Sequence, residues 1–211
     1  MTTHDFYDGN GPVPAHQHPN GGGWVADTAR VDDTAYVGSE ATVYGDAKVS
    51  DNARVYGKAR ITGHANVTDN ARVYGYAGVF GDAWVSGNAR VFGNAKVYDN
   101  ATVYGSAEVY GSARVYGKAR ITGHAQVYGN AKVYGSALVS GNAEVYNKAM
   151  VFADAFVFAD AKVFGNAKVY GSAWVYGDAL VCDDDLVFGD KEIGGPEKDR
   201  IFINGKWYVE E

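Results

Sequence analysis

Aliphatic residues recur at every sixth position from Val25 to Ile193, through Val31, Val37 and Val43 and onward, with no insertion or deletion. Ile61 and Ile121 are the only other departures from Val. Two residues earlier, an unbroken row of Ala runs from Ala29 to Ala179 and fails only at Asp185 and Lys191. The unit is therefore Ala-x-Val-x-x-x. Residues two apart point to the same side of an extended strand, so Ala and Val face inward, while the residue between them and the one after Val face outward. The last two places usually hold Gly followed by Asn, Asp, Ser or Lys, which suits a tight bend because Gly accepts positive φ and Asn and Asp tolerate it. A helix is excluded, since a spacing of six walks around the 3.6-residue turn and each interior Gly would cost about 1 kcal/mol. An ordinary sandwich expects turn signals about every 8–12 residues. What remains is an all-β solenoid in which each short strand stacks on its equivalent in the next coil, about 4.8 Å away.

The residue after Val decides how many sides a coil has. From Tyr44 to Phe188 it is Tyr or Phe at most positions, Ser or Thr at six, and Cys182 once. With 18 residues per coil, Ser50, Thr68, Ser86, Thr122 and Ser140 share one face and only Thr62 lies elsewhere; a 12-residue coil splits them. The pattern thus predicts a three-sided prism of about nine coils, roughly 45 Å long at the strand spacing. Residues 1–22 hold three of the four prolines and the run NGGG, and read as a flexible or draping arm. The solenoid takes residues 23–193 and is expected to end near the segment CDDDL, because Asp185 occupies an inward place where a bare carboxylate is costly. Residues 194–211 form a cap in which Asn204-Gly205 sits between two β-rich runs as a two-residue hairpin turn.

Composition follows from the repeat: Gly 28 and Tyr 16 against Pro 4, Met 2 and Cys 1. One Cys excludes a disulfide-stapled domain, and no apolar run approaches the ~20 residues of a membrane span. The start, MTTHDFYDGN, has neither the basic nor the apolar stretch of a signal peptide, so a soluble cytoplasmic or virion protein is expected. The net charge of −6 argues against a nucleic-acid footprint.

The outward positions carry the candidate interactions. Cations cluster between Ala and Val, as in the series Arg54, Arg72, Arg90 and the series Lys96, Arg114, Lys132. Beside them run two aromatic ladders: Tyr56, Tyr74, Phe92, Tyr110, Tyr128, Tyr146 and Phe164 on one face, and Phe80, Tyr98, Tyr116, Tyr134, Phe152 and Tyr170 on another. Such ladders serve self-stacking and oligomer contact, or offer platforms to sugars or bases. Around residues 150–164, Met150, Phe152, Phe156, Phe158 and Phe164 set apolar groups on all three faces, and Ala153 and Ala159 replace bend glycines; this girdle is a candidate contact site. The Ser/Thr face invites comparison with ice-binding lattices, yet its neighbours Lys48, Asn66, Trp84, Arg120 and Leu138 are bulky and mixed. His64 and His124 occupy bend positions sixty residues apart, on different corners, and cannot cooperate within one chain. His16 and His18 read as solvated residues of the arm, and Asp183, Asp184 and Asp185 as the polar end of the solenoid, because neither group completes a metal-ligand set.

Units such as NARVFGNAKVYDNA make the chain resemble hexapeptide-repeat, left-handed parallel β-helix proteins. The segments VSGNAR and VYGNAK, with the lead-in Gly22-Gly23-Trp24-Val25, are closer still to repeat arrays of phage, prophage and other bacterial proteins. The resemblance implies left-handed coiling. In the acyltransferases of this class it also implies a trimer with a His near the interface and a loop ejected from the coil. Here the six-residue count leaves no room for such a loop, and Tyr or Phe follows the aliphatic where those enzymes commonly place Gly. The expectation is a non-enzymatic structural or assembly solenoid with no catalytic residue, cofactor or metal. Its partners are further copies of the chain, a trimer among them, or other structural proteins. A trimeric acyltransferase and a carbohydrate-binding module using the Tyr ladders are the alternatives, and no membrane partner is expected.

Overall fold

A computed structural model describes residues 2–194 and the backbone of two further strands, Arg200–Ile203 and Lys206–Val209. Asn204 and Gly205 lie outside the described residues. The described residues contain no helix. Two-residue strands such as Lys96–Val97, Thr102–Val103 and Glu108–Val109 follow one another around a coil and belong to three different sheets. Each pairs in parallel with its equivalent 18 residues on, as Arg114 with Lys132 and Val115 with Val133. The 18-residue, three-sided coil is therefore the observed one. The first face carries the Lys96 strand, the second the Thr102 strand and the third the Glu108 strand.

Backbone hydrogen bonds join the coils in a fixed rhythm. The Arg90 N–H donates to the Ala107 carbonyl (2.9 Å), Phe92 to Val109 (3.0 Å) and Asn94 to Gly111 (2.7 Å), and the same three donors recur in unit after unit. Within the bend, the Ala N–H donates to the carbonyl three residues back, as in Ala95 to Phe92 (3.4 Å). Burial follows the repeat: the Ala and Val rows from Ala35 to Val175 are wholly buried and form one continuous core. Only Ala and one aliphatic per side fit the narrow triangular interior.

From Gly45 to Gly189 each corner is turned by one residue at positive φ. Gly holds most of these places, but Asp51, Asp69, Asp99, Asn147, Ala153, Ala159 and Asp183 adopt it with φ between 53° and 60°. The aspartates gain a partner by doing so. Asp69 Oδ2 accepts the Gly87 N–H (2.8 Å) and Asp99 Oδ2 the Gly117 N–H (3.1 Å), each one coil further on. Ala153 and Ala159 have no such side-chain acceptor and bear the left-handed conformation uncompensated, at about 1–2 kcal/mol each. The corners also stack closely: a Cβ added to Gly135 would lie 2.7 Å from the Ala153 nitrogen.

The ends depart from two expectations. Residues 2–22 carry two strands, Thr3–Asp5 and Pro12–Gln17, which pair antiparallel with each other and then with Trp24–Ala26, prolonging the first face. His18, expected as a solvated arm residue, is 2% exposed. It is buried because the arm folds back there: the His18 N–H donates to Gly23, the Gly22 N–H to His18, and the Gly23 N–H to Val37 at the edge of the third face. His16 in turn lies 2.9 Å from Asp27.

At the other end, Asp185 does not stop the coil. Leu186–Val187 and Glu192–Ile193 continue in register with Lys168–Val169 and Trp174–Val175. Asp185 is tolerated in the inward place because its carboxylate accepts the Cys182 N–H (3.1 Å), while its own N–H makes the usual bend bond to the Cys182 carbonyl. The strands Arg200–Ile203 and Lys206–Val209 then pair antiparallel, and the first of them adds to the edge of the third face in parallel with Leu180–Val181.

The corners predict substitutions of opposite sign. Ala153→Gly should raise the unfolding free energy by about 0.5–1 kcal/mol, because relief of left-handed strain exceeds the entropy that Gly adds to the unfolded chain. Gly135→Ala, strained by φ of 72° and by the approach to Ala153, should lower it by more than 1 kcal/mol. Urea midpoints at unchanged slope measure both.

Candidate functional site

The outer surface inherits the stacking of the core. On the third face Tyr56, Tyr74, Phe92, Tyr110, Tyr128, Tyr146 and Phe164 form one column, with successive ring centroids 4.8–5.0 Å apart and planes within 5°. On the first face the column runs through Tyr98, Tyr116, Tyr134, Phe152 and Tyr170 at 4.8–4.9 Å. Phe80, expected at its foot, instead lies across Gly78, where a methyl group would overlap the ring. Glycine one coil below Lys96 leaves that space open. In both columns the ring faces meet one another, so what the ladders show to solvent is ring edges and hydroxyls.

The hydroxyls are coupled to the next coil. Tyr74 Oη accepts from Arg90 (2.7 Å), Tyr104 Oη accepts from Arg120 (2.9 Å), and Tyr128 Oη donates to Glu144 (2.9 Å), each partner 16 residues on. The outward charges on the third face are accordingly mixed. Arg90 pairs with Glu108 at 2.8 Å and Lys162 with Glu144 at 3.1 Å. The first face carries the stacked series Lys96, Arg114 and Lys132, which makes no ion pair among the described residues. Burial within the columns pushes the phenols of Tyr98, Tyr110, Tyr116, Tyr134 and Tyr146 above their usual range. Tyr128 is pushed furthest, by burial first and by its bond to the Glu144 carboxylate second. Tyr104, bonded to Thr122 and Arg120, moves the other way.

The girdle residues separate by face. Phe152 and Phe164 are members of the two columns, and Met150 lies beside Phe152 on the first face. Phe156 and Phe158 are on the second face, which has no column there. Phe156 meets Trp174 at 5.3 Å and 42°, Phe158 meets Trp174 edge-on at 5.9 Å, and Phe158 stacks on Tyr176 at 5.3 Å. With Leu138 and Ser140 beneath them, these residues give three successive coils of the second face no charged outward side chain. Trp174 remains 42% exposed. Trp174 and Tyr176 were not singled out from the sequence, although they stand 18 residues beyond Phe156 and Phe158 and the same period reaches them.

The Ser/Thr row also lies on the second face, between the strands that carry Lys48 and Leu138. Tyr104 interrupts it, and Trp84, 50% exposed, stands beside it with its indole N–H directed to Thr68 Oγ1 (3.4 Å). His64 is exposed at a corner between the first and second faces, 3.8 Å from Asp46, and His124 is exposed at a corner between the second and third. Among the described residues no group of three or more His, Cys, Asp and Glu is placed to hold a metal ion, and no helix is long and apolar enough to cross a membrane. Burial, with Asp183 and Asp185 nearby, raises the Cys182 thiol to about 11, so it stays protonated at neutral pH.

These features define a β-solenoid repeat protein with aromatic columns on its outer faces. The family model of the YdcK beta solenoid repeat matches residues 47–63, 95–111 and 125–141, about a quarter of the chain. All three segments lie in the regular part of the prism. No curated relative matches the sequence.

The columns predict an unusual alkaline titration. A phenol raised by folding keeps its proton longer in the folded chain, so its contribution to stability is whole below the ordinary value of 10.0 and is lost as pH rises through the folded value. Tyrosinate absorbance should therefore show Tyr104 ionising early, a step removed by Tyr104→Phe, with Tyr98, Tyr110, Tyr116, Tyr128, Tyr134 and Tyr146 ionising late and together with unfolding. Tyr128→Ser should cost about 1–2 kcal/mol, the sum of two ring contacts and one hydrogen bond.

Proposed function

We propose that the chain is a non-enzymatic structural solenoid, a rigid spacer or assembly component, that meets further copies of itself or another structural protein through its outer faces. The observation that carries this reading is the uncharged aromatic patch of Phe156, Phe158, Trp174 and Tyr176 on the second face. The core does not need these side chains, because inward Ala and Val fill it. A flat parallel-sheet face that leaves a large indole 42% exposed has the character of a contact surface. The repeat arrays that resemble those of phage and prophage proteins support a virion or assembly setting, with the cytoplasm as the place of synthesis.

The rival readings draw less from the geometry. A transferase site gains nothing from His64 and His124, which lie exposed at different corners. Sugar stacking on the Tyr columns meets the difficulty that their ring faces already stack on each other.

Light-scattering mass and small-angle scattering test the assembly reading. The native chain should have a mass that is a multiple of its own. Phe158→Ser combined with Trp174→Ser should reduce it to a single prism with unchanged circular dichroism. A monomeric native chain, an assembly indifferent to both changes, or turnover of an acyl-CoA would overturn it.

A further inference from the structure

At the first coils of the prism the N-terminal arm builds an aromatic cluster that departs from column stacking. Beyond the strand Thr3–Asp5 the chain folds back over the outside of the first face, where Phe6 stacks on Tyr44 at 4.8 Å. Arg60 fastens it there by donating to the Phe6 carbonyl (3.0 Å) and to the Tyr44 hydroxyl. Between this fold and the sheet lies a cleft of about 410 Å³, within the range of roughly 300–1,000 Å³ common for small-molecule sites. One wall is the parallel pair of His4 and Trp24, with centroids 4.3 Å apart. At the rim stands Tyr7, 84% exposed.

Tyr7 is held in a strained conformation. Its φ is 54°, an outlier for a bulky side chain. Asp5 Oδ1 accepts the Tyr7 N–H (2.8 Å) and Asp8 Oδ1 accepts the Asn10 N–H (3.0 Å), so the turn is braced on both sides. Tyr7 belongs to neither buried cluster of the core, and its side chain is 84% exposed. Strain of this kind, about 1–3 kcal/mol, concentrates at functional sites.

We propose that this cleft binds an uncharged saccharide. The free Tyr7 ring offers an open apolar face to the C–H side of a sugar ring, and the stacked His4 and Trp24 rings wall the cleft. Asp5 and Glu40 supply acceptors, Lys58 and Arg60 supply donors, and together they line the same cleft. Two acids balance two bases, which suits a neutral polyol and gives no net attraction to a phosphate or a carboxylate. This site differs from the Tyr columns in the respect that matters for sugars, because at Tyr7 a ring face is open. It is independent of the second-face patch and of any assembly through it.

The test uses the full chain on an array of neutral oligosaccharides and their sulfated and phosphorylated counterparts, followed by tryptophan-fluorescence titration with the strongest neutral binder. Tyr7→Ser and Glu40→Gln, each with unchanged circular dichroism, should weaken binding at least tenfold. Tyr128→Ser in the third-face column should change it less than twofold. An array with no neutral binder, a preference for the anionic counterparts, or affinity lost with Tyr128→Ser and kept with Tyr7→Ser would overturn the assignment.

Discussion

Coil-to-coil backbone pairing at a fixed advance of one three-sided turn governs everything else in the molecule. Arg90 to Ala107, Phe92 to Val109 and Asn94 to Gly111 are one unit of a pattern that repeats along the prism. Once each strand lies directly over its equivalent, every side chain meets its counterpart 18 residues away, at about the strand spacing. Inside, this leaves a narrow triangular shaft that Ala and Val fill completely. Outside, it turns any repeated aromatic into a column. At the corners it brings backbone against backbone, which is why glycine or a left-handed Asp or Asn turns nearly all of them.

The same constraint shapes the surface chemistry. Rings spaced by the coil rise stack face to face, and their hydroxyls reach the outward residue of the next coil, as Tyr74 does with Arg90 and Tyr128 with Glu144. The columns are thus largely self-satisfied. Recognition belongs where the stacking is broken: on the second face, where Trp174 meets Phe158 edge-on, and at the N-terminal fold, where Tyr7 stands clear. A repeat protein of this kind offers its most distinctive chemistry at its irregularities.

Fold was legible to an unusual depth because period six and the Ser/Thr row are properties of the chain itself. Ser50, Thr68, Ser86, Thr122 and Ser140 were enough to choose three sides over two, and the parallel register confirms that choice. What escaped was what individual contacts set and the six-residue period does not encode, whether the partners are near or far along the chain. Asp185 looked like a stop because its partner, the Cys182 N–H, is a feature of the bend and not of composition. His18 looked solvated because its burial depends on the arm turning back onto Gly23 and Val37. Phe80 left its column because Gly78 vacated the space beside it. The cleft beneath Tyr7 could not be read at all, since it depends on Arg60 grasping a carbonyl 54 residues earlier.

Residue-level amide hydrogen exchange tests the governing pattern most directly. In each unit of the prism the amides of the residues before and after Val, and of the residue after the bend, donate to the next coil and should exchange slowly. The bend amides of Gly93 and Gly111 have no acceptor among the described residues and should exchange fast, whereas Gly87 and Gly117, held by Asp69 and Asp99, should be slower. A protection profile with this six-residue rhythm from Lys48 to Phe164 is the expected result. Uniform protection, or a rhythm that ignores the Asp-held bends, would contradict it.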